Sequence, residues 1–118
     1  MNRYTIRGAT TVNYNSEQDI ERETITLLKK IFDENYLKND DIESIIFTCT
    51  EDLDSVYPAK FARKIGLTDA TLLCMQEMTV KKSLKKCIRV LIFLRNNVKL
   101  KNVSNIYLNN AEKLRKNL

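Results

Sequence analysis

Arg89 lies in the middle of the apolar run 87–94, which reads CIRVLIFL. The run is short, rich in β-branched and aromatic residues and free of Pro and Gly, so it predicts a buried β-strand. A guanidinium keeps its charge at any ordinary pH, and burying it costs several kcal/mol unless an anion compensates it. That anion is either a carboxylate of the protein, in a structural salt bridge, or a bound ligand. The run itself favours neither hypothesis over the other.

The chain has 118 residues, which suffice for one hydrophobic core, so we expect a single domain over 1–118. No apolar run approaches the length of about 18 residues that a membrane-spanning helix needs. The first residues lack the apolar segment of a signal peptide. The three cysteines, Cys49, Cys74 and Cys87, lie in apolar surroundings and are odd in number. Together these features predict reduced thiols in a cytoplasmic protein.

The composition also excludes several kinds of site. The chain has no histidine, the commonest general base and metal ligand, and its cysteines lack zinc-site spacing. With only Gly8 and Gly66, it cannot form a glycine-rich phosphate loop. We therefore expect no metal and no cofactor.

The net charge of +5 favours an anionic partner, either nucleic acid or a small polyanionic metabolite. Aromatic residues do not interleave with the lysine pairs at 81–82 and 85–86, which makes a nucleic-acid surface the weaker hypothesis.

Periodicity and turn signals predict the order strand, helix, strand, helix and three strands. The expected strands are Arg3–Val12, Ile42–Thr50, Thr71–Met75, Leu84–Arg95 and Val103–Leu108. One helix begins after Ser16 and runs to about Asn35, a shorter one lies between Pro58 and Gly66, and a short tail covers 109–118. This order predicts an α/β or α+β domain with its helices on one side of a single sheet.

The other side of such a sheet lacks a cover. Alternation along the fourth strand puts Cys87, Arg89, Leu91 and Phe93 on one face. An uncovered apolar face usually packs against another subunit, so we expect an oligomer.

Further charged residues could share a site with Arg89. Glu77 follows the third strand between two methionines and could simply pair with Arg89. Arg7 lies in the first strand and Arg63 in the short helix. Three arginines from separate elements could converge on one anionic ligand, because each can bind a carboxylate through two parallel hydrogen bonds.

Five segments occur in an order that resembles a known family. They read IRGATTV at 6–12, YPAK at 57–60, CMQEM at 74–78, LKKCIRV at 84–90 and IYL at 106–108. In these motifs the chain is similar, over about 3–115, to the monofunctional trimeric α/β class of chorismate mutase. It departs from that pattern at Tyr57, where the family has Phe, and at Leu73, where it has Thr. Residues 81–83 also replace a glycine-containing turn, and the tail is short.

The resemblance implies a single mixed sheet with helices on one face, assembled as a homotrimeric pseudo-α/β-barrel with a site between adjacent subunits. It implies the conversion of chorismate to prephenate in aromatic amino acid biosynthesis, with Arg89, Glu77 and Arg7 as catalytic residues. Arg89 would contact the ether oxygen and a carboxylate, Arg7 and Tyr107 would hold the side-chain carboxylate, and Glu77 and Cys74 would receive the ring hydroxyl. The implied cleft wall from the neighbouring chain comprises Tyr57, Ala59, Lys60, Arg63 and Leu73, and the implied closing residues are Leu114 and Arg115.

This reaction suits a chain without histidine, because a pericyclic rearrangement moves no proton and forms no covalent intermediate with the protein. Two alternatives stay open: a trimeric protein that only binds small carboxylates, or an enamine/imine deaminase with a similar trimeric fold. A basic nucleic-acid-binding module is a further hypothesis, but it gives no reason to bury Arg89.

Overall fold

The computed structural model of the chain describes residues 2–117, so Met1 and Leu118, at the two ends of the predicted domain, lie outside the described residues. The strands are β1 (Thr5–Thr11), β2 (Ile42–Cys49), β3 (Thr71–Gln76), β4 (Cys87–Leu94) and β5 (Ile106–Tyr107). The α-helices are α1 (Glu17–Glu34) and α2 (Ala59–Lys64), and 3₁₀ helices cover Asn39–Asp41 and Asn109–Asn117, the latter called the 3₁₀ tail below. The predicted order of strands and helices is confirmed.

Most element bounds agree with the predicted ones to within about two residues, but β4 and β5 begin later than predicted. β4 begins at Cys87 rather than Leu84, because Lys86 adopts a left-handed conformation (φ 50°) that a strand cannot continue through. β5 keeps only two residues of the predicted Val103–Leu108, since the Ser104 N–H donates to the Asn35 side chain and the Asn105 side chain accepts the Arg7 N–H in place of a backbone bond. The predicted short tail forms 3₁₀ turns over Asn109–Asn117.

The five strands form one mixed sheet in the order β3-β2-β4-β1-β5. β4 is antiparallel to both of its neighbours, β1 and β2, whereas the outer pairs β2–β3 and β1–β5 are parallel. Parallel strands need a long crossover connection, and α2 supplies it between β2 and β3. The predicted single mixed sheet is therefore confirmed.

Both α-helices pack on one face of this sheet and bury the main core. The helix residues buried there include Leu27, Leu28, Ile31 and Ala62, and the strands contribute Ile6, Ile45, Phe47, Val90 and Ile92. Gly8 favours this contact, because a Cβ there would lie 2.7 Å from Ile31 Cδ1 and 3.2 Å from Ile106 O. The close approach brings α1 against β1 and β5.

Ser16, after which the sequence predicts the first helix, caps the start of α1. Ser16 accepts a hydrogen bond from Asp19 N (3.1 Å), as expected. The Asp19 carboxylate, however, accepts from Tyr14 N (3.1 Å), so it fixes the turn that precedes the cap.

The opposite face of the sheet is only partly covered. Burial alternates along β4, with Ile88, Val90 and Ile92 buried against the helices and Arg89, Leu91 and Phe93 half-buried on the other side. The 3₁₀ tail covers one corner of this second face, where Ala9, Cys87, Tyr107 and Ala111 form a small buried cluster. Beyond the tail, Leu73 and Met75 of β3 are about half exposed, at 52% and 46%. We call this uncovered apolar region, with Ile46, Leu73, Met75, Leu91 and Phe93, the open face.

Among the described residues, neither helix combines the length and the apolar character needed to cross a lipid bilayer.

The C-terminus of α1 generates a test of the fold. Leu37 N donates to Phe32 O (2.9 Å) and Tyr36 N to Asp33 O (3.4 Å), which is the Schellman arrangement. Tyr36 is left-handed there (φ 56°) with its side chain 91% exposed. We expect Tyr36→Gly to raise the free energy of unfolding by about 0.5–1 kcal/mol, because Gly adopts this conformation without steric cost. Denaturant unfolding at one fixed chain concentration measures it.

Tyr36→Ala is the matched control, since it removes the same ring but keeps a Cβ. A gain in stability of equal size in both variants would attribute the effect to the ring rather than to the backbone.

Candidate active site

The pairing of β1 with its two neighbours assembles the predicted catalytic side chains. Ala9 of β1 pairs with Arg89 on β4 and with Tyr107 on β5, so all three residues share one face of the sheet. Arg7 lies two positions earlier on the same strand and therefore on the same face, where its side chain is exposed. The small Ala9 leaves room between the two larger side chains. One face of the sheet thus carries Arg7, Arg89 and Tyr107.

Glu77 joins this group through an ion pair. Its carboxylate accepts hydrogen bonds from Arg89 Nε (2.7 Å) and Nη2 (3.3 Å), and its backbone N–H donates to Cys49 O (2.7 Å). The structural salt bridge foreseen as an alternative is therefore present. It does not exhaust the guanidinium, which has more N–H donors than one carboxylate accepts and whose side chain stays 31% exposed. We call Arg7, Glu77, Arg89 and Tyr107 the arginine group.

A cavity of about 340 Å³ borders the carboxylate side of this pair. Its lining includes Thr50, Asp52, Glu77, Met78 and Leu84. The ion pair therefore lies next to open space rather than inside a closed core.

Tyr107 has an unsatisfied hydroxyl. The residue is 4% exposed, and its Oη has no hydrogen-bond partner among the described residues. Leu84 and Leu114 pack against the buried cluster that contains it. A buried hydroxyl without a partner is destabilising, so its retention here points to a ligand group that would complete it.

Cys87 lies in the same cluster and two residues before Arg89. Burial raises the pKa of its thiol to about 11, although the positive charge of Arg89 acts in the other direction. Cys87 is therefore a neutral thiol at physiological pH and contributes packing rather than charge.

A second group of predicted residues lines a separate cleft of about 530 Å³ at the end of β2 and β3. Tyr57 and Cys74 both border it, and the ring of Tyr57 is 73% exposed. Burial raises the pKa of the Cys74 thiol, while a hydrogen bond from the Ala59 backbone and the charge of Arg63 oppose the rise. We call Tyr57 and Cys74, together with Ala59 and Arg63 of α2, which act on Cys74, the cleft group.

Other predicted residues do not join either group in the single chain. Lys60 Nζ binds Glu17 Oε1 of α1 (2.6 Å) instead of turning toward the cleft. Leu73 points to the open face, the side opposite to its neighbour Cys74. Leu114 packs under the 3₁₀ tail near Tyr107, and Arg115 is exposed on that tail.

In the single chain the two groups lie on opposite faces of the sheet. Cys74 pairs with Phe47 on the helix-covered face, whereas Arg89 pairs with Thr48 on the other face. β2 also lies between β3 and β4, so these two strands are about 10 Å apart. A ligand that contacts both groups would have to pass around the end of β2 or take one group from a second chain.

Two residues near the arginine group were not singled out from the sequence. Thr50 and Asp52 lie in the loop after β2, and their side chains bind the backbone at the start of β4. Only their residue types could have indicated this role, since Thr and Asp in loops commonly hydrogen-bond nearby backbone groups. Sequence spacing does not reveal a partner 34–37 residues away.

Comparisons with known proteins agree with this architecture. A family model described as chorismate mutase type I matches residues 4–118. The chain is 40% identical over 114 residues to the chorismate mutase AroH of Bacillus subtilis (strain 168), covering 96% of this chain and 90% of that protein. It is 38% identical over 114 residues to the AroH of Thermus thermophilus, covering 96% and 93%.

A solved structure, the chorismate mutase from Clostridium thermocellum Cth-682, superposes with a TM-score of 0.88 at 46% sequence identity. The match covers 94% of this chain and 99% of that one. The chain therefore belongs to the type I chorismate mutase family, which confirms the resemblance seen in its motifs and the isomerase activity that the resemblance implied.

Proposed function

We propose that the chain rearranges chorismate to prephenate in clefts formed between neighbouring chains of a homotrimer, where the arginine group of one chain faces the cleft group of the next. The observation that carries this proposal is Arg89, a permanent cation oriented by Glu77 on a sheet face that the α-helices leave uncovered. We also propose that residues 1–118 act as one domain and that the protein is cytoplasmic.

The reaction requires no proton transfer to or from the protein. One carbon–oxygen bond breaks while one carbon–carbon bond forms, and both changes occur within the substrate. The protein must hold the flexible enolpyruvyl arm over the ring, which is an orientation effect. It must also stabilise the negative charge that grows on the ether oxygen, which is an electrostatic effect.

Arg89 supplies the electrostatic effect. Two of its N–H groups bind Glu77, which fixes the plane of the guanidinium before substrate arrives. The remaining donors are aimed at the ether oxygen and a substrate carboxylate. The interaction strengthens as the bond opens, so it raises turnover rather than binding alone.

Arg7 and Tyr107 hold the carboxylate of the enolpyruvyl arm. The exposed guanidinium of Arg7 provides charge, and the unpartnered hydroxyl of Tyr107 gains an acceptor. Glu77 and the neighbouring chain's cleft group, through Cys74, receive the ring hydroxyl.

The remaining cleft residues come from the neighbouring chain. Tyr57, Ala59 and Arg63 form its wall, with Lys60 released from Glu17 and Leu73 at the rim. Leu114 and Arg115 of the 3₁₀ tail close the site. No cofactor takes part.

The trimer is supported by the open face. Its apolar side chains are left in water in the single chain, and packing them against another copy stabilises the assembly by about 25 cal/mol per Å² of buried apolar surface. The number three comes from the family resemblance.

Leu91→Lys tests the interface, because Leu91 lies at the centre of the open face between Ile46 and Arg7. We expect sedimentation to give a trimer for the unchanged protein and smaller species with lost activity for the variant, since Lys cannot be buried there without a partner.

Tyr14→Lys is the control for that experiment, since Tyr14 is exposed in the turn before α1 and should leave the assembly unchanged. A trimeric, fully active Leu91→Lys variant would contradict the assignment of the open face.

Arg89→Lys tests the catalytic proposal. Lys keeps the charge but offers one point donor instead of a planar fork, so we expect kcat to fall by at least about a hundredfold in a folded trimer. The loss of chorismate absorbance measures the rate, and circular dichroism verifies the fold.

Arg95→Lys is the matched control, because Arg95 pairs with Glu43 at the surface end of the sheet. Near-normal turnover in the Arg89 variant would overturn the proposed mechanism.

The pH profile of the rate should be flat between about pH 6 and pH 9, because no proton transfer is needed. The buried thiol beside Arg89 does not interfere: burial raises the pKa of Cys87 to about 11, so it stays neutral across this window. A bell-shaped profile of kcat centred in the window would instead indicate acid–base catalysis.

A further inference from the structure

The last residue of β2 and the loop that follows it contact the two segments that carry the central ion pair. Cys49 O accepts the backbone N–H of Glu77 (2.7 Å). The next residue, Thr50, donates its backbone N–H to Cys87 O (3.1 Å) and accepts the Cys87 N–H on its side-chain Oγ1 (2.9 Å). The last residue of β2 and the first residue of the loop therefore fix the backbone of Glu77 and the first residue of β4.

Asp52 completes this contact. Both of its carboxylate oxygens accept the Lys86 N–H (2.9 and 3.1 Å), and Oδ1 also accepts the Thr50 hydroxyl (2.6 Å). The Thr50 hydroxyl is thus fully used, as donor to Asp52 and as acceptor from Cys87.

The turn held by Asp52 is conformationally demanding. Lys86 has φ 50°, in the left-handed region that favours glycine, yet β4 begins directly after it. A carboxylate that accepts the Lys86 N–H compensates this conformation and determines where the strand starts. Arg89 lies three residues further on, and Cys87 lies between them on the same face as Arg89.

We propose that Thr50 and Asp52 are positioning residues for the rearrangement: they hold the start of β4 against the Glu77 segment and so set the direction of the Arg89 guanidinium. The inference rests on the proposed function of Arg89. A small displacement of the strand start turns the remaining donors of Arg89 away from the ether oxygen, and catalysis of this kind is sensitive to such displacements.

Thr50→Val and Thr50→Ser form a matched pair for the test. Valine keeps the shape of threonine without the hydroxyl, whereas serine keeps the hydroxyl without the methyl group. With chorismate as substrate, we expect Thr50→Val to lower kcat about tenfold and to change KM less than about twofold. The reason is that a misdirected Arg89 guanidinium stabilises the transition state less but binds the substrate almost as well. Thr50→Ser should keep kcat within about twofold of the unchanged protein.

Asp52→Asn is the second variant, which also serves if Thr50→Val does not fold. It keeps the size of the side chain and one acceptor oxygen but loses the charge, so kcat should fall by a smaller factor, about threefold. Thr26→Val, on the exposed side of α1, controls for the substitution itself.

A purely structural role makes a different prediction. The variants would then show lower unfolding midpoints and less folded protein, with kcat per folded chain unchanged, and that result would overturn the inference. Equal kcat values for Thr50→Val and Thr50→Ser would also overturn it. Should Arg89→Lys turn over normally, the proposed function itself fails, which separates the two outcomes.

Discussion

The ion pair between Arg89 and Glu77 is the interaction on which the rest of the site depends. A permanent cation in the middle of a β-strand requires a nearby anion, and Glu77 provides it through two hydrogen bonds. Because Glu77 follows β3 while Arg89 lies in β4, the pair spans the whole width of β2. The end of β2 must therefore hold the flanking segments in register, which Cys49 and Thr50 do through their backbone contacts.

The sheet divides the functional residues between its two faces. The arginine group shares a face with the open apolar region, whereas the cleft group lies at the covered side, where Ala59 donates to the Cys74 thiol. The arginine group supplies charged side chains but no enclosing cleft, whereas the cleft group borders a cleft but lacks the Arg89–Glu77 pair. Under the proposed function the site is complete only on assembly, so the apolar open face and Arg89 serve one purpose. Association then removes water from the cleft, which strengthens every charge interaction inside it.

The sequence predicted most elements because their signals are local. Alternation in β4, the apolar stripe of α1 and the Pro58 and Gly66 boundaries of α2 were each readable within about ten residues. β5 was overestimated because its partners are distant: Asn35 binds both backbone groups of Ser104, and Asn105 binds the Arg7 N–H. These side-chain hydrogen bonds replace the backbone hydrogen bonds that a strand over Val103–Leu108 would have made.

The sequence by itself determined that a fixed cation lies in a core strand, that no histidine or cofactor loop is available, and that the chain's motifs follow those of one family. Tertiary structure alone decided that Glu77 is the partner of Arg89 and that Tyr107 keeps a hydroxyl without a hydrogen-bond partner among the described residues. It also decided that Cys74 lies on the sheet face opposite to Arg89 and Tyr107. The reason is physical: residue type and periodicity fix burial and charge, whereas strand order and register fix which distant side chains meet.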